Sequence, residues 1–141
     1  MKRIIQILLI LSVLCLGILP VSANAPVKTE EFIIEPCWKE VFQFNHWFDI
    51  TSSGRADIQS ELVAYDVDLI EVEVELQQFK NGSWVTIKTW KGSDSAPICV
   101  VVGKWYVPKK YGYRMVSTGR VYIGGKMVEE VNYTSRSLWY E

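Results

Sequence analysis

The chain has 141 residues and a mass of 16.2 kDa, which is enough for one domain and a leader segment. Hydrophobic residues make up 49% and charged residues 22%, so the composition favours a packed globular domain and excludes a disordered chain. Fifteen basic and sixteen acidic residues give a formal charge of −1 with no basic block, which argues against a nucleic-acid partner.

The first 23 residues have the layout of a secretory signal peptide: two basic residues, an apolar run from Ile4 to Leu19, and then small side chains. The run is shorter than the roughly 20 apolar residues that cross a bilayer comfortably. We therefore predict cleavage after Ala23 and a secreted or envelope-associated protein with no transmembrane segment in its mature form. An uncleaved anchor is one alternative. A lipid anchor is a less favoured alternative, because Leu14 rather than a small residue precedes Cys15.

Two cysteines, Cys37 and Cys99, remain after the leader. An exported chain meets an oxidising compartment, where a disulfide is permitted. A bridge that closes a loop of about 60 residues would stabilise the fold by roughly 4 kcal/mol in the loop-entropy treatment. The sequence equally allows two buried free thiols, so both states stay open.

From Val41 onward, apolar residues recur with period two and no convincing helical period is present. Residues 24–39 are predicted to form a tether or loose first strand, and residues 40–141 an all-β domain. We expect about seven antiparallel strands in an immunoglobulin/fibronectin-like β-sandwich, with a small closed barrel as the alternative. The strands outside the hairpins are predicted, in chain order, at Val41–Thr51, Arg55–Tyr65, Ile98–Val107 and Lys110–Ser117.

The clearest strand begins at Ile70 and leads to a hairpin turn at Asn81-Gly82, the dipeptide that best tolerates a type I′ turn. Its apolar residues share one face, predicted to be buried, and its glutamates share the other, predicted to face water. A two-residue loop opposes Leu76 to Ile87, Gln78 to Val85, Glu75 to Lys88 and Phe79 to Trp84.

A second hairpin is predicted around Gly124-Gly125, between strands at Val121–Ile123 and Lys126–Val128. The same counting opposes Val121 to Val128 and Arg120 to Glu129. Apolar residues then meet each other, and an acid meets a base.

Catalytic patterns are scarce. His46, the one histidine, shares a face with Phe44 and Phe48 and is predicted to be a packed or half-exposed strand residue rather than a general base. Cys99 lies in an apolar stretch that would raise the pKa of its thiol and weaken it as a nucleophile. No phosphate-binding glycine loop, zinc-ligand spacing or nucleophile elbow occurs. We therefore predict no catalytic residue, no metal, no cofactor and no enzymatic activity.

The acidic face of the first hairpin is the one feature that keeps an enzyme open. Glu71, Glu73 and Glu75 are spaced by about 7 Å, since a strand rises about 3.3 Å per residue. That separation would suit the paired carboxylates of a glycosidase. The simpler interpretation is a solvated strand face, because acids along a flat strand do not converge as a calcium site requires.

Aromatic residues supply the candidate binding surface. The chain has six tryptophans, and the predicted hairpin register places Phe79, Trp84 and Trp90 together on the charged face. Exposed aromatics beside carboxylates would suit stacking on sugar rings or burial against a protein partner. The alternative is that neighbouring strands or the tether cover this face, and that the rings are ordinary packing residues.

Short motifs occur at Asp49–Gly54, Leu76–Trp84, Trp90, Tyr111–Arg114, Glu129-Glu130 and Ser135. Over roughly residues 48–137 the chain thereby resembles a family of small exported proteins of Gram-positive Firmicutes that is classified as a domain of unknown function. The resemblance implies a secreted all-β domain and supplies no catalytic or binding residue.

Three hypotheses on function follow. The first is a non-enzymatic secreted or envelope-associated binding module whose partner is an unidentified protein or a cell-envelope polysaccharide. The second makes the ligand a carbohydrate, held by Phe79, Trp84 and Trp90. The third is a secreted bacteriocin-like effector, which small size and export permit.

Overall fold

The computed structural model describes residues 38–95 and 97–141, which form eight β-strands and no helix. Every strand pairing is antiparallel, so the predicted all-β class is confirmed. The strands are β1 Val41–Ile50, β2 Arg55–Ala64, β3 Leu69–Lys80, β4 Ser83–Asp94, β5 Ile98–Tyr106, β6 Tyr111–Ile123, β7 Lys126–Thr134 and β8 Leu138–Tyr140.

Two sheets pack against each other. The first sheet has the order β1-β2-β5, and the second has the order β4-β3-β6-β7. The short β8 pairs with the start of β6, whereas β7 pairs with the rest of β6. This is the strand order of an immunoglobulin/fibronectin-like sandwich, and the alternative closed barrel is not formed.

A buried tyrosine fixes the corner between β5 and β6. The hydroxyl of Tyr113 donates a hydrogen bond to the carbonyl oxygen of Pro108 at 2.6 Å and accepts one from Nε2 of Gln78 at 3.0 Å. A tyrosine near the start of the sixth strand that bonds back to the preceding corner is a hallmark of immunoglobulin-like sandwiches. It therefore supports the same fold assignment as the strand order.

The alternation in β3 has the predicted result. Ile70, Val72, Val74 and Leu76 are buried in the core, and the intervening glutamates are half-buried on the outer face. Because successive side chains of a strand point to opposite faces, one row of this strand packs between the sheets and the other borders solvent.

The first hairpin has the predicted turn but only part of the predicted register. Asn81 and Gly82 have φ of 53° and 80°, as a type I′ turn requires, and Phe79 opposes Trp84 as expected. Gln78 likewise opposes Val85. The register then shifts at a β-bulge, because Ile87 is an extra residue in β4. The predicted pairs Leu76 with Ile87 and Glu75 with Lys88 are wrong: Leu76 opposes Lys88 and Glu75 opposes Thr89.

The second hairpin shows the same kind of shift. Gly124 and Gly125 form the turn, with φ of 59° and 72°. An extra residue, Val128, bulges out of β7, so the predicted partners of Val121 and Arg120 are wrong by one position. Val121 opposes Glu129 and Arg120 opposes Glu130.

The bulge in β4 turns Trp90 toward the interior. Trp90 opposes Val74 of the buried row, and its ring packs against the core at both ends of the sandwich. Gly103 of β5 makes room for it, since a Cβ at that position would lie 2.5 Å from Cε2 of Trp90. The predicted placement of Trp90 on the charged face is therefore wrong.

One polar pair crosses the core. The hydroxyls of Ser60 on β2 and Ser117 on β6 lie 2.7 Å apart, and both residues are 0% exposed. We expect Ser60→Ala to lower the free energy of unfolding by about 1–3 kcal/mol, because it strands the buried hydroxyl of Ser117. The double variant Ser60→Ala/Ser117→Ala removes both polar groups and is expected to recover most of that loss. Urea unfolding of the four proteins measures the coupling, and additive losses would contradict it.

The leader (1–23), Cys37 and most of the tether (24–39) lie outside the described residues, so cleavage and a Cys37–Cys99 bridge stay predictions. Cys99 is buried and forms no disulfide with any described residue. Burial raises the pKa of its thiol, with a further increase from the charge of Asp94. Within the described part of the chain, no helix is long and apolar enough to cross a membrane.

Candidate functional site

Phe79 and Trp84 lie together on the outer face of the second sheet. They flank the first hairpin turn as an opposed pair, with ring centroids 5.2 Å apart and planes tilted by 56°. Phe79 is 39% exposed and Trp84 is half-buried. Of the three predicted ligand-binding residues, the structure brings these two together and places Trp90 in the interior.

A third ring, which the sequence did not point to, completes the surface. Trp139 of β8 is 60% exposed and lies across Gly112 from Phe79. A Cβ built on Gly112 would lie 3.4 Å from Cε3 of Trp139 and 3.6 Å from Cβ of Phe79, so this glycine is the floor between the two side chains. The resulting aromatic groove has a volume of about 220 Å³ and is lined by Phe79, Trp84, Gly112, Ser137, Leu138 and Trp139.

A hydrogen-bonded chain holds one wall of the aromatic groove. The guanidinium carbon of Arg114 lies 4.4 Å from the ring centroid of Trp84, a cation–π distance. Nε of Arg114 donates to Oε1 of Gln77 at 2.9 Å, and Nε2 of Gln77 donates to Oε2 of Glu75 at 2.8 Å. Trp84 is thereby fixed from both sides, by Phe79 and by Arg114, before any ligand arrives.

The three glutamates of β3 are all engaged with neighbouring strands. Glu71 accepts a hydrogen bond from the hydroxyl of Tyr122 at 2.7 Å. Glu73 lies 3.0 Å from Nζ of Lys91, and Glu75 accepts a bond from Thr86 at 2.9 Å. Lys88, the predicted partner of Glu75, instead lies over the ring of Trp105 at 4.9 Å. The acidic face is therefore a cross-strand network of hydrogen bonds and ion pairs.

His46 is packed between two rings. Its imidazole lies 4.1 Å from the ring of Phe44 and 3.8 Å from the ring of Tyr133, centroid to centroid. Its Nε2 is buried without a hydrogen-bond partner among the described residues. Burial lowers the pKa of His46 to about 4, so the ring is neutral at pH 7. The prediction of a packed strand residue on the face of Phe44 is confirmed.

No group of three or more His, Cys, Asp or Glu side chains in residues 38–95 and 97–141 is arranged to hold a metal ion. The other exposed tryptophans lie apart from the aromatic groove: Trp47 on the outer face of the first sheet and Trp105 near the end of β5. Phe42 and Tyr65 form a second exposed aromatic pair, with centroids 5.4 Å apart, whereas the aromatic groove brings three rings together around a glycine.

Trp139 and Arg114 are the site residues that sequence reasoning missed. Leu138, Trp139 and Tyr140 form a strand of three residues, too short to show a period. The available signal in the sequence was the alternation of Tyr111 and Tyr113 in β6. This part of β6 needs a partner strand at its edge, and β8 is that partner.

Comparison with known proteins gives no relative. No protein-family profile, no curated protein and no solved structure matches the chain.

Proposed function

We propose that this protein is a small exported, non-enzymatic binding module that acts at or outside the cell envelope and takes a carbohydrate ligand in the aromatic groove. The convergence of Phe79, Trp84 and Trp139 around a glycine floor is the observation that carries the proposal. Clustered exposed aromatics mark interaction surfaces, and the flat apolar faces of sugar rings are natural partners for such rings.

The shape of the aromatic groove favours a polymer over a free small molecule. Its volume of about 220 Å³ is below the 300–1,000 Å³ of typical small-molecule pockets. A groove of this size accepts about one ring of a longer chain and leaves the neighbouring units in solvent. Because Trp84 is already held by Phe79 and Arg114, little side-chain ordering is needed on binding.

Two further observations support a binding role without catalysis. The glutamates that could have served as a catalytic pair are tied to Tyr122, Lys91 and Thr86. His46 has its Nε2 buried against rings. Export, and membership of the exported Firmicutes family that the sequence resembles, are part of the proposal; the layout of residues 1–23 supports export.

The test is retention of purified mature protein on immobilised cell-wall and plant polysaccharides. We expect Trp84→Ala to reduce retention by about fivefold or more, since a stacked ring typically contributes over 1 kcal/mol at a binding surface. The melting temperature is expected to fall by only about 4 °C, because Trp84 lies on the outer face and its contacts are worth about 1 kcal/mol.

Trp47→Ala is the matched control. Trp47 is also exposed, at 53%, but lies on the outer face of the other sheet, so its loss should leave retention unchanged. A wild-type protein that no polysaccharide retains would refute the proposal. A Trp84→Ala variant that loses retention together with about 3 kcal/mol or more of stability, as a core substitution does, would identify Trp84 as a packing residue.

A further inference from the structure

Two arginines border the aromatic groove. Arg114 stacks on Trp84, and the exposed Arg136 directly precedes Ser137 of the lining. The three segments that line the aromatic groove, 79–84, 110–114 and 135–140, contain four basic residues and no acidic one, although the whole chain carries a net charge of −1. The lining segments are therefore net positive, whereas the chain as a whole is net negative.

These cations are unpaired, unlike several others in the domain. The described salt bridges employ Lys39, Arg55, Lys91 and Arg120. Neither Lys80, Arg114 nor Arg136 forms a salt bridge with any described residue. Arg114 uses only its Nε–H, on Gln77, so its two terminal NH₂ groups point to no described hydrogen-bond acceptor. The guanidinium of Arg114 is thus held against the ring of Trp84, and its terminal NH₂ groups can still donate hydrogen bonds to a ligand.

We infer that the aromatic groove selects negatively charged polysaccharides, whose rings stack on Phe79, Trp84 and Trp139 while their acidic groups meet Arg114 and Arg136. This rests on the proposed carbohydrate-binding function and specifies its ligand class. A carboxylate on a sugar ring matches the planar fork of an arginine, which binds such groups in bidentate fashion. Charge complementarity of this kind gives specificity and faster association.

The position of the rings favours a glycan over an anionic membrane. A surface that enters the lipid headgroup region leads with apolar side chains. Here the tip of the first hairpin is Asn81-Gly82, and Phe79 and Trp84 lie behind it on the strand pair. The polar tip would reach a bilayer before either ring.

Polygalacturonate oligomers and their fully methyl-esterified forms provide a matched pair of ligands, since esterification removes the charge and keeps the sugar backbone. We expect calorimetric titration to give a dissociation constant about tenfold lower for the acid than for the ester, with the difference decreasing as salt is raised. Arg136→Glu should weaken binding of the acid by about fivefold or more and leave binding of the ester nearly unchanged.

Lys126→Glu makes the same charge change at the exposed second hairpin, outside the aromatic groove, and should leave both ligands unaffected. Equal affinity for acid and ester, lost in Trp84→Ala, would refute charge selection and leave the carbohydrate proposal standing. Failure to bind either form, or any neutral polysaccharide, would refute both. Binding of polyglutamate or of phosphatidylglycerol vesicles as tightly as polygalacturonate would show that charge alone is recognised, which also overturns the inference.

Discussion

Trp90→Ala is expected to lower the free energy of unfolding by about 3–5 kcal/mol, the range for removing a large aromatic side chain from a core. The ring opposes Val74, packs against both parts of the core and lies against the backbone of Gly103. Gly103 has no side chain that could fill the space left by the ring. Urea unfolding followed by far-ultraviolet circular dichroism measures the change.

Trp84→Ala is the control in the same strand. Trp84 lies on the outer face and contacts Phe79 and Arg114, so its removal should cost about 1 kcal/mol, the scale of one aromatic or cation–π contact. Equal losses of stability in Trp90→Ala and Trp84→Ala would contradict the bulge at Ile87, because that bulge places Trp90 inside and Trp84 outside. The predicted order is therefore a direct test of the observed register.

Glu129→Gln is expected to cost about 2 kcal/mol at neutral pH, the scale of hydrogen bonds to a charged acceptor. The carboxylate of Glu129 on β7 accepts bonds from the backbone amides of Lys39, Glu40 and Val41 at 3.0, 2.8 and 2.9 Å. It thereby fastens the start of β1 to the second sheet, next to Trp38, which packs on the core. A glutamine amide would present N–H groups to some of these donors.

The contribution of Glu129 depends on pH in a defined direction. Burial raises the pKa of its carboxyl, but the three amides outweigh that effect and leave the pKa below its usual value. The unfolded chain then binds more protons than the folded one, so the stabilisation is present above the unfolded pKa and is lost as pH falls through the folded pKa. The difference in stability between wild type and Glu129→Gln should therefore shrink on acidification below about pH 4.

Glu130→Gln is the matched control one residue along. Glu130 is exposed, and its hydrogen bond to Arg120 lowers the pKa of its carboxyl. Solvent screens this pair, so the substitution should reduce stability less than Glu129→Gln does. A Glu129→Gln variant whose deficit stays constant from pH 7 to pH 3 would show that the carboxylate charge is not what holds the segment.

The local part of the fold was predictable, because it depends on neighbouring residues. The alternation from Ile70 to Leu76 gave the buried face of β3, and Asn81-Gly82 gave the turn and the pairing of Phe79 with Trp84. Counting residues outward from the turn predicts the strand register only until one of the two strands contains an extra residue. The extra residues Ile87 and Val128 are common in regular strands and do not indicate a bulge in the sequence. The predicted pairs beyond these residues are therefore wrong by one position in both hairpins.

The candidate site was predictable to the same extent. Phe79 and Trp84 lie within two residues of the turn, where the register was correct, whereas Trp90 lies beyond the bulge. Trp139 comes from a strand far along the chain that pairs with β6, and Gly112 brings it beside Phe79. Such a contact depends on the strand order of the whole sheet, which periodicity within a segment does not encode.

The single additional residue at Ile87 makes the length of β4 as consequential as its composition. Deleting Ile87 would move each side chain in the second half of β4 to the opposite face of the sheet. Trp90 would then be exposed to water, and Lys91 would point into the core. Edge strands usually accept insertions and deletions readily, but this one should be intolerant of both. In alignments of related chains, a gap between Trp84 and Trp90 would then mark a relative in which this second tryptophan does not pack in the core.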